Sequence, residues 1–467
     1  MALTVLVSLA IVVCYVAHLS YRWHRLCHIP GPFWAPFLTR WHNARSQYAY
    51  IRPLDLKTLS DQYGKISHIR KRREKKPPTS KTLTTTYQGK LIRVGPNQIV
   101  TSDIETILRI NSPCSGYSGG IESCLPNQSP CLLSCSDQEK KCTRPEAHPC
   151  WYEGESHLEE MVQRQCSRLI ASIEQECLST DVIYKPLEMN SASLWLISNV
   201  IRDIVASWSS DPLEDARQSR CAVSRKKRRA ISRLVAALLP NRDKADTLTT
   251  ILTHILSTSV AYSKLKSEIY ERAADLGTQH RPAAAVIRGC LPSSLWELPY
   301  LQAVIKEGCR MSHAAAAATA LPHVSLKSPK TGDIILGFKI PGGTEIGPDV
   351  SGIMRATKYW GNDAEAFRPE RWLEARGEES YPTMESALDI LWGLKSSTRP
   401  QGHDHLGKIA AETFLSMVVA MMLARFDISL VEPPRNASRT GQPGETQPCY
   451  VRFTLACWDT MTGLDVT

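Results

Sequence analysis

Apolar residues recur every three to four positions along several stretches of the chain, and this spacing predicts amphipathic helices. Short runs rich in branched apolar residues, bounded by glycine and proline, predict strands instead. The helical stretches are residues 54–64, 156–207, 300–313 and about 406–425. The strand-like stretches are residues 90–101 and 332–347 and the pieces FDISLV and YVRFTLACW near the C-terminus. The sequence therefore predicts a mainly α protein with small β-sheets (α+β), with no internal repeat.

Residues 90–110 carry the clearest local signals of this pattern. Two apolar runs flank a Gly-Pro pair, which predicts a strand, a turn and a second strand. An amphipathic run follows Ser102 and Asp103, either of which can accept a hydrogen bond from the first turn of a helix. We expect a hairpin that leads directly into a capped helix.

The chain opens with an uncharged apolar run, residues 2–20, and Arg22 and Arg25 follow it at once. About 20 apolar residues are needed to span a bilayer, and basic residues after the run leave the rest of the chain in the cytosol. We predict a membrane anchor over 1–21, a proline-rich hinge over 22–36 and one domain over 37–467. A cleaved signal peptide is the alternative.

Composition narrows the functional classes only slightly. The chain is 43% hydrophobic and 22% charged, as in globular proteins, and its net charge of +10 is scattered apart from two short runs, which does not indicate nucleic-acid binding. Five of the 15 cysteines lie within 124–150, where free thiols in a reducing compartment are favoured over a zinc site.

Residues 65–88 are basic and threonine-rich without apolar periodicity. We interpret them as an insertion, with an import signal or lipid-binding patch as the alternative.

Two separated motifs and a histidine carry the candidate chemistry. Glu307 and Arg310 lie three positions apart on one predicted helix face, which is an ordinary ion-pair spacing. The stretch AEAFRPERWLE, which includes Arg371, follows later, and then a loop and helix that read WG…HLGK with His405.

In this order, with the PGP hinge and the stretches GKLIRVGPNQIVTSD and LPYLQAVIKEGCR, these motifs resemble the cytochrome P-450 family of haem-thiolate monooxygenases. The likeness is greatest to the membrane-bound fungal branch of secondary metabolism. It implies a P-450-like fold, a haem between two long helices, and NADPH-derived electrons from a cytochrome P-450 reductase. It also implies a small hydrophobic substrate and the endoplasmic reticulum membrane. Glu307, Arg310 and Arg371 would then form a buried network that braces the haem-side core.

The chain departs from the family at the positions that should hold the haem. His405 stands where the resemblance places the axial cysteine; it is the candidate iron ligand, with His403 as a rival and an unligated surface histidine as the alternative. In the segment that resembles the propionate-binding helix, Pro145 would break the helix and Glu146 replaces the expected arginine. Arg144 is the remaining candidate there.

The middle of the chain is also shorter than the family implies, so the fold is expected to be truncated after Trp208. Asp246 and Thr247 match the acid–threonine pair that delivers protons to bound oxygen, with Thr249 and Thr250 as alternatives. Three functions stay open: a monooxygenase of a hydrophobic small molecule, a P-450-like protein without that activity, and a histidine-ligated haem sensor.

Overall fold

A computed structural model describes the chain in thirteen parts. They are residues 16, 20–21, 23–31, 91–111, 115–118, 150–178, 185–209, 241–276, 298–317, 326–378, 380–391, 405–432 and 449–455. Several sequence predictions lie outside these residues. They are the helix over 54–64, the insertion over 65–88, the cysteines from 124 to 142, Arg144 and His403, and nearly all of the predicted anchor.

Eleven α-helices are present in the described part of the chain. They are α1 Ile104–Asn111, α2 Cys150–Ser172, α3 Met189–Ser209, α4 Asn241–Ser257, α5 Ser259–Leu276, α6 Pro299–Ala317, α7 Val350–Met354, α8 Thr357–Trp360, α9 Glu370–Glu374, α10 Tyr381–Leu391 and α11 His405–Arg425. A π-helical turn, Ile173–Cys177, extends α2.

In the described ranges, nine short strands form two small sheets and a hairpin. They are β1 Leu91–Arg93, β2 Gln98–Thr101, β3 Leu187–Glu188, β4 Leu326–Lys327, β5 Asp333–Ile335, β6 Phe338–Ile340, β7 Glu345–Pro348, β8 Phe426–Val431 and β9 Tyr450–Leu455. The first sheet has the order β1-β2-β7-β4, in which only the β2–β7 pair is parallel. The second has the order β3-β9-β8 and is antiparallel, and β5 pairs with β6.

The apolar core lies mainly between helices. The largest buried cluster joins α2, α3, α4, α5, α6 and α11 with β8 and β9, and α11 is buried on every side from Ala411 to Ala424. A second cluster joins α1 to α7–α10, and a third lies under the first sheet. Helix α6 belongs to the first two clusters, so its side chains connect the helical core to the loops that follow β7.

The predicted secondary structure is confirmed for most of the described stretches. The continuous helix predicted over 156–207 is wrong, because β3, Leu187–Glu188, pairs with β9 and separates α2 and its π-helical turn from α3. The stretch 90–110 forms β1, β2 and α1, and Asp103 rather than Ser102 caps the helix, since its Oδ2 accepts from the Thr106 amide at 3.1 Å. The mainly α architecture with small sheets is the predicted one. Among the described residues, no helix combines the length and apolarity needed to cross a membrane.

Candidate functional site

The Glu307 carboxylate lies at the centre of a fully buried polar network. It projects from α6 with no exposed surface, and it accepts five hydrogen bonds. Oε1 accepts from Arg310 Nη2 at 2.8 Å, from Arg371 Nε at 3.0 Å and from the Arg368 amide at 3.1 Å. Oε2 accepts from Arg310 Nε and Trp372 Nε1, both at 3.0 Å. A buried carboxylate is stable only with such compensation.

Arg310 uses all of its donors within this network. Its Nε–H and one N–H of Nη2 donate hydrogen bonds to the carboxylate of Glu307, which lies one α-helical turn earlier. Nη1 donates to the carbonyl oxygens of Met354 at 2.6 Å and Ala364 at 2.7 Å, and Nη2 donates to that of Ala366 at 3.1 Å. Because a guanidinium carries five N–H groups in one plane, this arrangement satisfies it completely. Arg310 thus attaches α6 to the chain after α7.

Arg371 completes the network from helix α9. Its Nε donates to Glu307, and Nη1 donates to the Trp360 carbonyl at 2.5 Å and to Asp363 Oδ1 at 3.2 Å. Nη2 donates to the carbonyl oxygens of Asp363 at 3.0 Å and Ala366 at 3.3 Å. Two guanidinium groups therefore fold the loop 361–369 against α6.

Asp363 supplies a second carboxylate at the edge of the network. It pairs with Arg371 and with Arg368 Nε at 2.7 Å, and Arg368 also pairs with Glu374. Burial raises the pKa of Asp363, but Arg371 and Arg368 outweigh that effect and hold the pKa below its ordinary value. The carboxylate is therefore ionised at neutral pH and balances the second guanidinium charge.

Aromatic rings enclose the network. Arg310 lies over the Trp360 ring at 5.1 Å, and Trp360 and Trp372 contact each other with centroids 5.5 Å apart. Lys306, one residue before Glu307, contacts the rings of Trp372 and Tyr381 and hydrogen bonds Glu385 on α10. These contacts exclude water, which strengthens each ion pair and makes each unpaired charge costly.

Helices α4 and α6 meet closely beside the network. A Cβ placed on Gly308 would lie 2.2 Å from Ile251 Cγ1, so only glycine allows this approach. His254, also on α4, stacks on Phe367 of the loop 361–369 with centroids 5.1 Å apart. Burial lowers the pKa of His254 below its ordinary value, despite the nearby Glu307 carboxylate. The histidine is therefore neutral at pH 7.

The structure places Asp246 and Thr247 on α4. Thr247 is 2% exposed, and its hydroxyl lies 3.3 Å from that of Ser312 on α6, two residues after Arg310. Thr249, one alternative, lies 3.3 Å from Ser193 on α3 instead. Asp246 is half-buried, as is Thr250, the other alternative. Of the predicted pair, Thr247 therefore contacts the helix that carries the network.

His405 is the first residue of α11, but its side chain lies outside the described residues. The cysteines whose side chains are described are Cys27, Cys166, Cys177, Cys309 and Cys449. No cysteine occurs between Cys309 and Cys449 in the sequence, so the loop before α11 has no thiol. Within the described ranges no cluster of three or more histidine, cysteine or acidic residues could hold a metal ion.

Sequence reasoning missed three parts of this site. Trp372 was visible in the second motif, but nothing in the sequence indicated that its indole N–H reaches Glu307. Asp363 carried no signal although Arg371 lies only eight residues later, and Ser312 carried none because Thr247 is 65 residues away. Conversely, the structure brings together Glu307 and the two arginines expected from the resemblance.

Comparison with known proteins adds independent information. The cytochrome P-450 family model matches residues 245–385, which include α4–α9 and the whole network. The cytochrome P-450 monooxygenase cicH of Emericella nidulans is 37% identical over 161 residues, which are 32% of this chain and 29% of that protein. The cytochrome P-450 monooxygenase aba1 of Botryotinia fuckeliana is 30% identical over 198 residues, 41% of this chain and 34% of that one.

The chain thus spans about a third of the length of the curated relatives that it matches. A crystallised haem domain, a cytochrome P450DA mutant, aligns with a TM-score of 0.48 and 12% identity over 77% of this chain and 87% of that chain. The segment that matches the family model includes the residues of the buried network. Residues 245–385 of this chain therefore match the cytochrome P-450 family, and the similar curated proteins are fungal monooxygenases.

Proposed function

We propose that the protein is a haem-dependent monooxygenase that oxidises a small hydrophobic molecule in fungal secondary metabolism. One observation carries this proposal: the Glu307–Arg310–Arg371 network is complete, with every guanidinium N–H paired. It lies in the segment that matches the cytochrome P-450 family model. A sequence without functional constraint would readily lose such a network, because loss of one buried partner typically costs about 3–5 kcal/mol.

The family implies a haem iron. No cysteine lies between Cys309 and α11, whereas His405 begins that helix and His403 lies just before it as a rival. Imidazole holds haem iron in globins and peroxidases, while thiolate favours O–O cleavage. We therefore assign His405 as the candidate ligand, with Arg144 as the remaining candidate for the propionate. Haem would supply the redox chemistry, and we expect turnover to be slower than with a thiolate ligand.

The chain's own residues would position that centre and move protons. Glu307, Arg310 and Arg371 would not contact the reacting atoms; they hold α6 and the loop 361–369 in place. Thr247, with Asp246 beside it, is the candidate for proton delivery, since a hydroxyl next to an acid can relay a proton. The Ser312 hydroxyl, 3.3 Å away, would orient that of Thr247.

The remaining parts of the proposal concern partners. We propose NADPH as the electron source, through a cytochrome P-450 reductase, and a single anchor in the endoplasmic reticulum membrane with the domain in the cytosol. The uncharged run over 2–20, followed by Arg22 and Arg25, supports this orientation.

A second candidate is a P-450-like protein without monooxygenase activity. The lack of a cysteine between Cys309 and α11 favours this candidate, because thiolate ligation promotes O–O cleavage.

Expression of the full chain in yeast microsomes with a P-450 reductase tests the two candidates. Microsomes are incubated with NADPH and hydrophobic small molecules, and mass spectrometry detects products that gain an oxygen atom. The monooxygenase proposal predicts an NADPH-dependent product that disappears in His405→Ala and persists in Arg376→Ala, a change at an exposed arginine. Haem-free protein in the microsomes would support the second candidate and overturn the first.

A further inference from the structure

Helix α11 carries one band of polar side chains within an otherwise apolar core. Every residue of Ala411–Ala424 is buried, and the polar residues of this stretch are Glu412, Thr413 and Ser416. Because the helix repeats about every 3.6 residues, these three positions lie within little more than one turn and on one side. The buried part of α11 therefore has a polar side and an apolar remainder.

Ser416 is joined to helix α6 by a hydrogen bond. Gln302 Nε2 donates to Ser416 Oγ, and the two atoms lie 3.1 Å apart. Ser416 is 2% exposed, and Gln302, in the first turn of α6, is half-buried. Gln302 precedes Glu307 on the same helix. The bond therefore links α11 to the helix that carries the buried network.

The apolar contacts of α11 specify its rotation only weakly. They include Met417, Met421 and Met422, which belong to the largest core cluster. Apolar burial is non-directional, and methionine side chains adapt to many packing arrangements. A rotation by one residue, about 100°, would keep most of this burial but would separate Ser416 from Gln302.

Such a rotation would leave two polar groups without their partner. A buried donor or acceptor that loses its hydrogen bond costs its full desolvation free energy. In packed helices, one buried polar pair is known to fix the register for this reason. The Gln302–Ser416 bond therefore selects one rotation of α11 from several that apolar packing would permit.

The first residue of α11 shares the helix face of Ser416. Position 405 precedes Glu412 by seven residues and Ser416 by eleven, which are close to two and three turns. Positions with this spacing fall on one face of a helix. The rotation of α11 therefore decides where position 405 lies relative to α6.

We propose that Gln302 and Ser416 are positioning residues that set the rotation of α11 against α6 and so place position 405 relative to the Glu307 network. The network holds α6 to the loop 361–369, and the Gln302–Ser416 bond extends this rigid frame to α11. An iron ligand has to keep one position, so the bond bears on the candidate ligand His405. That last step rests on the proposed function, and a separate measurement scores each part.

Distances between two spin labels on the purified full chain test the proposal. Because the chain has 15 cysteines, the labels are carried by unnatural amino acids, at Lys408 in the first turn of α11 and at Arg376, an exposed residue after α9. Double electron–electron resonance is expected to give one narrow distance distribution for the otherwise unchanged chain. The double variant Gln302→Met/Ser416→Ala is expected to add a second distance, shifted by several ångströms, because a rotation of about 100° carries the label around the helix axis.

Urea unfolding of the double variant separates positioning from stability. Replacement of both hydrogen-bonding partners by apolar groups of similar shape can leave stability nearly unchanged, so we expect the wild-type midpoint. Gln302→Met alone, at the half-buried position, is the second variant should the double variant not fold, and we expect the same second distance from it. A single unchanged distance in whichever variant folds would overturn the proposal.

A polar pair between two other helices provides the matched control. Thr249 on α4 and Ser193 on α3 are both buried, and their hydroxyl oxygens lie 3.3 Å apart. Thr249→Val/Ser193→Ala is expected to keep the single distance between the labels. A second distance in this control would also overturn the proposal, because the loss of any buried polar pair would then be enough.

A haem titration of the unlabelled chains scores the link to His405. If the wild-type chain binds no haem, the proposed function is overturned, while the distances still decide whether Gln302 and Ser416 set the rotation of α11. If haem binds, the Soret band of the double variant is expected to be broader than that of the wild-type chain. An unchanged band beside a second label distance would overturn the step from the rotation of α11 to His405.

Discussion

Replacement of Glu307 by glutamine removes one charge from the buried network and almost no volume. A glutamine side chain has one acceptor oxygen, whereas the carboxylate accepts five hydrogen bonds, two of them at Oε2 from Arg310 Nε and Trp372 Nε1. The new amide group would face those two donors. Hydrogen bonds to charged groups contribute about 1.5–3 kcal/mol each, so the loss of both costs about 3–6 kcal/mol. The typical cost of breaking a buried ion pair, about 3–5 kcal/mol, agrees.

The free energy of unfolding, from urea titrations of the wild-type and variant chains, measures this loss. Glu374→Gln is the matched control, because Glu374 also pairs with an arginine, Arg368, but its side chain is 59% exposed. An exposed pair contributes less than about 1 kcal/mol. If Glu307→Gln lowers the free energy of unfolding no more than Glu374→Gln does, the buried network does not brace the core and the reasoning is wrong.

Three other changes test the packing around the network. Gly308→Ala is expected to destabilise the protein by about 1–3 kcal/mol, since its Cβ would lie 2.2 Å from Ile251 Cγ1. In urea unfolding, the double variant with Ile251→Ala should lose less free energy of unfolding than the two single variants lose together. Trp372→Phe should cost about 1.5–3 kcal/mol through loss of the bond to Glu307, measured in the same way. The folded-state pKa of His254 is lowered, so the unfolded chain binds the proton more readily and stability should fall as pH drops below about 6.5. A flattened profile of unfolding free energy against pH in His254→Phe would confirm this, and an unchanged profile would exclude it.

Local features of the fold could be predicted from the sequence because their causes are local. Asp103 caps α1 with its own side chain, and the Gly-Pro pair separates β1 from β2. The helical spacing of residues 300–313 became α6, with bounds that differ by a few residues. Each of these depends on neighbours within one or two turns of chain.

Non-local features could not be predicted in the same way. The parallel pairing of β2 with β7 joins residues such as Ile99 and Ile346, and no pattern in either strand specifies the partner. The spacing of Glu307 and Arg310 indicated an ordinary ion pair, and only the family resemblance joined Arg371 to it. That the arginines bind backbone carbonyl oxygens of the loop 361–369 depends on tertiary structure alone.

We propose that this chain, part of which matches the cytochrome P-450 family model, binds haem through the His405 imidazole, whereas the family resemblance implies a thiolate. The most direct measurement is a haem titration of the purified full chain, followed by the absorbance spectrum of the reduced protein with carbon monoxide. The account predicts saturable haem binding with the Soret band of a histidine-ligated haem, and loss or a shift of that band in His405→Ala. A thiolate-type band, or no haem binding at all, would contradict it.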